Sequence, residues 1–228
     1  MRSAHVSDLA GIDGRTIRTT RWTASERPAR RTAVLLPGFA YSAEAPLLFY
    51  LKLVCIKRGW DVLAIDYRYS EHDAFLAMRD DEKDDFLRRE HRKIGEYLAD
   101  TLDCDRLILI GKSLGTSALS TMLTETAIRS AAERVGCVLL TPSERRHELF
   151  DIVVADDLPT VVAIGDEDQY YDQSSIDRLR ETRTVRVLVV ENAGHLFEDV
   201  DRDTGRSIDN LRAVTMFVEE ALGDGFLG

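Results

Sequence analysis

Six short runs of nearly unbroken apolar residues recur along this chain: "TAVLLP" (32–37), "DVLAID" (61–66), "RLILIG" (106–111), "GCVLLT" (136–141), "TVVAIG" (160–165) and "VRVLVV" (185–190). Each is short for a helix and lacks polar alternation, so each reads as a strand buried on both faces. Longer amphipathic stretches separate them. Glu44 to Gly59, Asp84 to Leu102, Thr116 to Arg129 and about Ser207 to Leu222 are expected helices. Continuous apolar strands joined by helices predict a mostly parallel central sheet covered on both faces. "TIRTTRWTA" (16–24) alternates instead, and predicts an antiparallel edge strand. Ligands on such sheets bind beyond the carboxyl ends of the strands, so chemistry is sought in the loops that follow the apolar runs.

The bulk numbers narrow the field. A chain of 228 residues, 44% hydrophobic and 31% charged, has material for one sizeable core, and a single domain over residues 1–228 is expected. Its formal net charge of -10 argues against nucleic acid as a partner, since phosphate binding needs clustered Lys and Arg. No apolar run approaches the roughly 18 residues of a membrane span, and "MRSAHVSDLAGIDGR" lacks the apolar core of a signal peptide. Cys55, Cys104 and Cys137 are odd in number and far apart, which suits reduced thiols and neither a disulfide framework nor a zinc site. The expectation is a cytoplasmic protein with a small-molecule substrate and no membrane partner.

One turn carries two motifs at once. "LILIGKSLGTSAL" (107–119) contains the "GKS" that ends a phosphate-binding loop. That loop needs a first glycine five residues before Gly111, at a position held by Arg106. Leu107 to Ile110 are strand residues, so no loop exists there to wrap a phosphate. The same residues read as G-x-S-x-G, Gly111 to Gly115, a strained strand-to-helix turn with Ser113 at its apex.

A serine hydroxyl is a weak nucleophile until a base takes its proton. Candidate partners follow two later strands. "AIGDEDQYYD" places Asp166, Glu167, Asp168 and Asp172 in one loop, and "VVENAGHLFED" places His195 in the next. Histidine has a near-neutral pKa and two ring nitrogens. One nitrogen can take the serine proton while a carboxylate on the other fixes the tautomer. Ser, then Asp, then His is the chain order of the α/β-hydrolases.

From about Thr32 to Leu222 the chain resembles a small α/β-hydrolase, nearest in character to the dienelactone-hydrolase-like and short carboxylesterase branches. "LLPGF" (35–39), "DYRYS" (66–70), "GKSLG", "GDED" (165–168) and "AGHLFE" (193–198) carry the resemblance. It implies the α/β-hydrolase fold, Asp168 as the acid, and an oxyanion hole made by the backbone N–H groups of Phe39 and Leu114. Glu144 holds a second position that the fold uses for the acid. Such chemistry calls for no metal and no organic cofactor. Two departures narrow the resemblance. Dienelactone hydrolases carry Cys where this chain has Ser113, which sets a dienelactone substrate aside. "PGFAYS" replaces the HG or HGGG loop of many lipases, so lipase activity is not implied.

The remaining residues have plainer expectations. Lys112, inside the elbow, can meet an anionic group of the substrate or pair with an acid. Tyr41, with Phe39 and Leu114, can supply apolar wall near the scissile carbonyl. His72, His91 and His147 stand in charged stretches and are expected in solvent. Asp66 and Arg68 are expected to tie down a strand end, and Arg79 to Lys93 to form a solvated helix face. Fewer than twenty residues separate Thr141 from Thr160, room for a helix and turns and no lid domain. The site should therefore be open, unless Tyr69 to Arg79 folds over it. These readings amount to a lidless serine hydrolase acting on a small ester-type substrate. The alternative is a non-catalytic binding or interaction protein on the same fold.

Overall fold

A computed structural model describes residues 4–25, 30–143, 146–223 and 225–227. Eight strands form one sheet: β1 (Ala4–Ala10), β2 (Thr16–Trp22), β3 (Arg31–Leu36), β4 (Asp61–Asp66), β5 (Arg106–Lys112), β6 (Arg134–Leu140), β7 (Thr160–Gly165) and β8 (Val185–Val190). Their order is β1-β2-β4-β3-β5-β6-β7-β8. From β3 to β8 every pairing is parallel, whereas β1 and β2 pair antiparallel with each other and β2 with β4. The six apolar runs all became strands: β3 to β7 are buried almost throughout, while β8, at the sheet edge, is only partly buried between Arg186 and Val189. Along β3, Val34 and Leu36 enter one core with Leu109 and Leu139, while Ala33 and Leu35 enter the other with Ile108 and Ile110.

The helices divide between these two cores. α1 (Pro46–Lys57) and α7 (Thr204–Gly223) cover one face through Leu47, Leu51, Val214 and Val218. α3 (Asp80–Thr101), α4 (Leu114–Glu125), α5 (Arg146–Ala155) and α6 (Gln173–Glu181) cover the other through Ile94, Met122, Leu149 and Ile176. Each fully buried Leu, Ile or Val side chain contributes about 1.5–3 kcal/mol. A short helix, α2 (Asp73–Leu76), precedes α3, and among the described residues only α5 lies between β6 and β7. The chain passes from β3 to β4 and then back across to β5 on the other side of β3. The strand order therefore reverses at the β3–β5 boundary, where a crevice opens at the carboxyl ends.

Three sequence expectations need correction. β2 is not the edge strand, because β1 pairs along its whole length, Ala4 to Trp22 through Ala10 to Thr16. β1 is mostly exposed and so carries no burial pattern to find. α3 starts at Asp80, where Asp80, Asp81 and Glu82 suit the positive end of a helix and Arg79 N–H donates to Glu82 at 2.9 Å. α3 is also not solvated all round. Phe86, Glu90 and His91 are buried, and His72 is half-buried with its Nε2 2.9 Å from an Asp13 carboxylate oxygen. Only His147 lies in solvent among these three histidines.

Candidate active site

Ser113 joins β5 to α4 with φ 52° and ψ -116°, a conformation that costs a non-glycine residue about 1–3 kcal/mol. Its neighbours enforce it. A Cβ on Gly115 would lie 1.9 Å from the Leu36 carbonyl oxygen, so only glycine lets α4 approach β3 this closely. A Cβ on Gly111 would lie 2.8 Å from the Gly115 carbonyl. The turn is tied by Ser113 N–H to Leu140 C=O at 2.9 Å and by the Thr116 hydroxyl to Ser113 C=O at 2.6 Å.

The loops after β7 and β8 deliver the partners. His195 Nε2 is 2.8 Å from Ser113 Oγ, and His195 Nδ1 is 2.8 Å from Asp168 Oδ2. The Asp168 side chain is buried, and its Oδ1 accepts from Tyr170 N–H at 3.0 Å. The Tyr170 ring meets the His195 ring edge to face at 5.7 Å. The His195 loop closes on itself: Gly194 N–H donates to Glu198 C=O at 2.9 Å and Leu196 N–H to the Glu198 carboxylate at 2.7 Å. A hydroxyl, an imidazole and a buried carboxylate in hydrogen-bond series can move a proton from the first to the second.

Of the competing acids, Asp172 is committed elsewhere. It caps α6, accepting from Ser175 N–H at 3.0 Å and from the hydroxyls of Ser175 and Ser174, which pull its pKa down to about 2. Asp166 and Glu167 make no side-chain hydrogen bond or ion pair with His195, whose ring partners among the described residues are Asp168 and Ser113. Glu144 lies outside the described residues.

The loop after β3 faces the elbow across the crevice. A Cβ on Gly38 would lie 3.4 Å from Ser113 Cβ, and Phe39 and Leu114 line one cavity with Ser113. Leu114 opens α4, so its N–H is one of those left without an intrahelical acceptor. That cavity, about 550 Å³, is walled by Phe39, Phe75, Leu76, Leu87, Leu114 and Tyr170. Residues 69–79 thus contribute wall, through Phe75 and Leu76, which the short β6–β7 connection alone did not suggest. Tyr41 lies instead in a neighbouring cavity with Gly38, Phe39 and Arg68, and its hydroxyl accepts from Leu47 N–H at 3.0 Å.

Lys112 neither reaches this cavity nor forms an ion pair among the described residues. It is 1% exposed, and its ammonium donates to Thr141 Oγ1 at 2.5 Å and to the main-chain carbonyl of His195 at 3.0 Å. It also stands over the Tyr41 ring, 5.4 Å from the centroid. Burial lowers its pKa to about 8, against the opposing pull of Asp168 and Glu198. Tyr67 is a further residue that sequence reasoning passed over inside "DYRYS". Its buried hydroxyl donates to the Pro37 carbonyl, one residue before Gly38, and burial pushes the phenol pKa well up. Arg15 braces Tyr67 from the β1–β2 turn, donating to its carbonyl at 2.5 Å and to the buried Glu90 carboxylate. Asp66 and Arg68 pair at 2.8 Å. Among the described residues no group of three or more His, Cys, Asp or Glu could hold a metal ion, and no helix is long and apolar enough to cross a membrane.

Residues 30–221 match the model of the family described as Alpha/beta hydrolase domain, and the chain belongs to that family. The fold recurs in an α/β serine hydrolase without a lid from Xanthomonas campestris, with a TM-score of 0.62 and 16% identity over 96% of this chain and 95% of that one. It recurs in a dienelactone hydrolase from Anabaena variabilis, with a TM-score of 0.64 and 20% identity over 96% of this chain and 95% of the other. Est1E from Butyrivibrio proteoclasticus gives 0.62 and 14%, covering 97% of this chain and 99% of that one. No curated protein matches the chain in sequence.

Proposed function

We propose that this protein is a serine hydrolase that cleaves small carboxylic esters or thioesters through an acyl-enzyme. The observation that carries the reading is the unbroken relay from Ser113 Oγ through both nitrogens of His195 to buried Asp168, each contact 2.8 Å. Ser113 Oγ attacks the carbonyl carbon while His195 Nε2 takes its proton. The oxyanion is held by the N–H groups of Phe39 and Leu114. The departing alkoxide or thiolate takes the proton from Nε2. Water, deprotonated by the same nitrogen, then attacks the acyl carbon, and Ser113 leaves with its proton restored. Asp168 holds the tautomer with Nε2 free to accept, and stabilises the imidazolium. Lys112 and Tyr67 act on position only, the first on the His195 loop and the second on the loop that carries Phe39. The lidless serine hydrolase and the dienelactone hydrolase with this fold support the class, as does Est1E, whose structure is also known with ferulic acid bound.

The test is turnover of p-nitrophenyl butyrate by the protein and by Ser113→Ala. The expected loss is on the order of 10³-fold or more, because the members of such a relay act as a unit. Undiminished turnover by a folded Ser113→Ala variant would overturn the reading.

A further inference from the structure

Residues 69–78 form a strap beside the cavity, and side chains alone seat it. The chain enters through Arg68, at φ 44°, and turns through Tyr69–Glu71 into α2. The strap's main-chain hydrogen bonds run from Glu71 to Arg68, His72 to Tyr69, Leu76 to His72, Ala77 to Asp73 and Met78 to Phe75. Among the described residues no main-chain hydrogen bond joins residues 69–78 to anything outside 68–78. Such a segment can open without disturbing the sheet, so its side-chain anchors decide how firmly it sits. Phe75 and Leu76 are the strap residues that wall the cavity with Ser113.

One anchor is apolar: Phe75, 3% exposed, lies among Phe39, Tyr69 and Phe86. The other is polar. His72 Nε2 stands 2.9 Å from Asp13 Oδ2, while its Nδ1 is buried without a hydrogen-bond partner. With Nε2 carrying the proton, this is a hydrogen bond donated to a carboxylate. The His72 ring stacks on Phe75, with 11° between the planes and 6.2 Å between centroids. Leu76 N–H donates to His72 C=O at 2.9 Å, so the residue bonded to Asp13 touches both wall residues.

Asp13 belongs to the β1–β2 turn, which is itself pinned. Its Oδ1 accepts from Arg15 N–H at 3.1 Å, Gly11 N–H donates to Arg15 C=O at 2.7 Å, and Lys93 on α3 donates to Gly11 C=O at 3.0 Å. The family match begins at residue 30, so this turn lies ahead of the matched segment.

Resting on the ester-hydrolase reading, we propose that the Asp13–His72 pair is a latch that sets acyl-length selectivity, the β1–β2 turn holding α2 in place so that Phe75 and Leu76 end the acyl space. Asp13 and His72 are positioning residues, since neither lines the cavity with Ser113. Releasing the latch lets α2 swing about Arg68 and lengthens the space. Ser113, Asp168 and His195 keep their places, because the main-chain bonds of their loops run to the sheet and within the loops, none to the strap.

The experiment measures kcat/KM for p-nitrophenyl butyrate and p-nitrophenyl octanoate, and a denaturation midpoint, for the wild type, His72→Leu, Asp13→Ala, the double variant and His72→Gln. In His72→Leu and in Asp13→Ala the octanoate-to-butyrate ratio is expected to rise about fivefold, with butyrate kcat within about twofold of the wild type. The double variant is expected to match the single ones, because all three remove one and the same bond. His72→Gln, whose amide can still donate to Asp13, is expected to keep the wild-type ratio. A merely structural pair would lower the midpoint and leave the ratio unchanged. That result, or effects that multiply in the double variant, would overturn the latch while leaving the hydrolase intact. A wild type that turns over neither ester would overturn both.

Discussion

The loops after β5, β7 and β8 and the wall built by residues 69–87 face each other across one cavity, and they are held in different ways. The loops are fixed by backbone hydrogen bonds and by close approaches that only glycine permits, at Gly115 against Leu36 and Gly165 against Ala193. The wall is fixed by an aromatic cluster. Phe75 packs against Phe39 at 6.4 Å, Tyr69 at 5.2 Å and Phe86 at 5.4 Å, and α3 meets solvent with charged side chains. Main-chain hydrogen bonds and interatomic overlap set positions to tenths of an ångström, as proton transfer requires. Side-chain packing and exposed charge set shape and polarity, which govern which substrate is held. On the proposed mechanism, chemistry and selectivity reside on opposite sides of the cavity, and perturbing either side should leave a distinct kinetic signature.

The largest effect is expected on the loop side. Asp168→Asn keeps the shape of the carboxylate but favours the wrong His195 tautomer, and kcat should fall on the order of 10³-fold with little change in KM. A comparable loss in KM would place Asp168 in substrate binding and blur the division.

Lys112 sharpens the comparison through pH. Its folded pKa, about 8, lies below its ordinary value of 10.5. Between those values the unfolded chain binds the extra proton, so stability due to Lys112 rises with pH, by up to roughly 3 kcal/mol across the window. Activity should run the other way. Losing the charge weakens the bond to the His195 carbonyl, so kcat is expected to drop about threefold from pH 7 to 9.5. Lys112→Met should be about tenfold slower at pH 7, lack that alkaline limb, and lack the rise in denaturation midpoint relative to a neutral reference. Parallel pH profiles for both proteins would contradict the positioning role.

Tyr67→Phe removes the hydroxyl that holds Pro37 and leaves its carbonyl unpaired in the interior. A roughly fivefold fall in kcat is expected, alongside a loss of about 1–2 kcal/mol in stability. On the wall side the smallest single step is expected, that of one added acyl carbon, about fourfold at most in kcat/KM. Each buried methylene is worth about 0.8 kcal/mol, but the apolar wall of Phe39, Phe75, Leu76, Leu87 and Leu114 is finite. The gain in kcat/KM should stop within about six acyl carbons. A steady rise to palmitate would reveal a long acyl groove.

The same division governed what could be read from the sequence. The six apolar strands were legible because burial, complete for β3 to β7 and partial for the edge strand β8, leaves continuous apolar runs, and Ser113, Asp168 and His195 because each stands in a short motif at a strand end. β1 was not legible, since a strand with little burial has no pattern. Lys112, Tyr67 and the wall residues Phe75 and Leu76 were misjudged or missed for another reason. Their surroundings are assembled from segments far apart in the chain: Lys112 with Thr141 and His195, Tyr67 with Pro37 and Arg15, Phe75 with Phe39. His91 looked solvated because its sequence neighbours are charged, yet it is buried on the inward face of α3.

The central claim is that Ser113 is a nucleophile activated by His195. Incubation with a fluorophosphonate, followed by intact-mass measurement and peptide mapping, tests it most directly. The account predicts one adduct per chain, on the peptide that contains Ser113, with none in Ser113→Ala and a much slower reaction in His195→Ala. An unlabelled wild-type protein, or equal labelling of the Ser113→Ala variant, would contradict it.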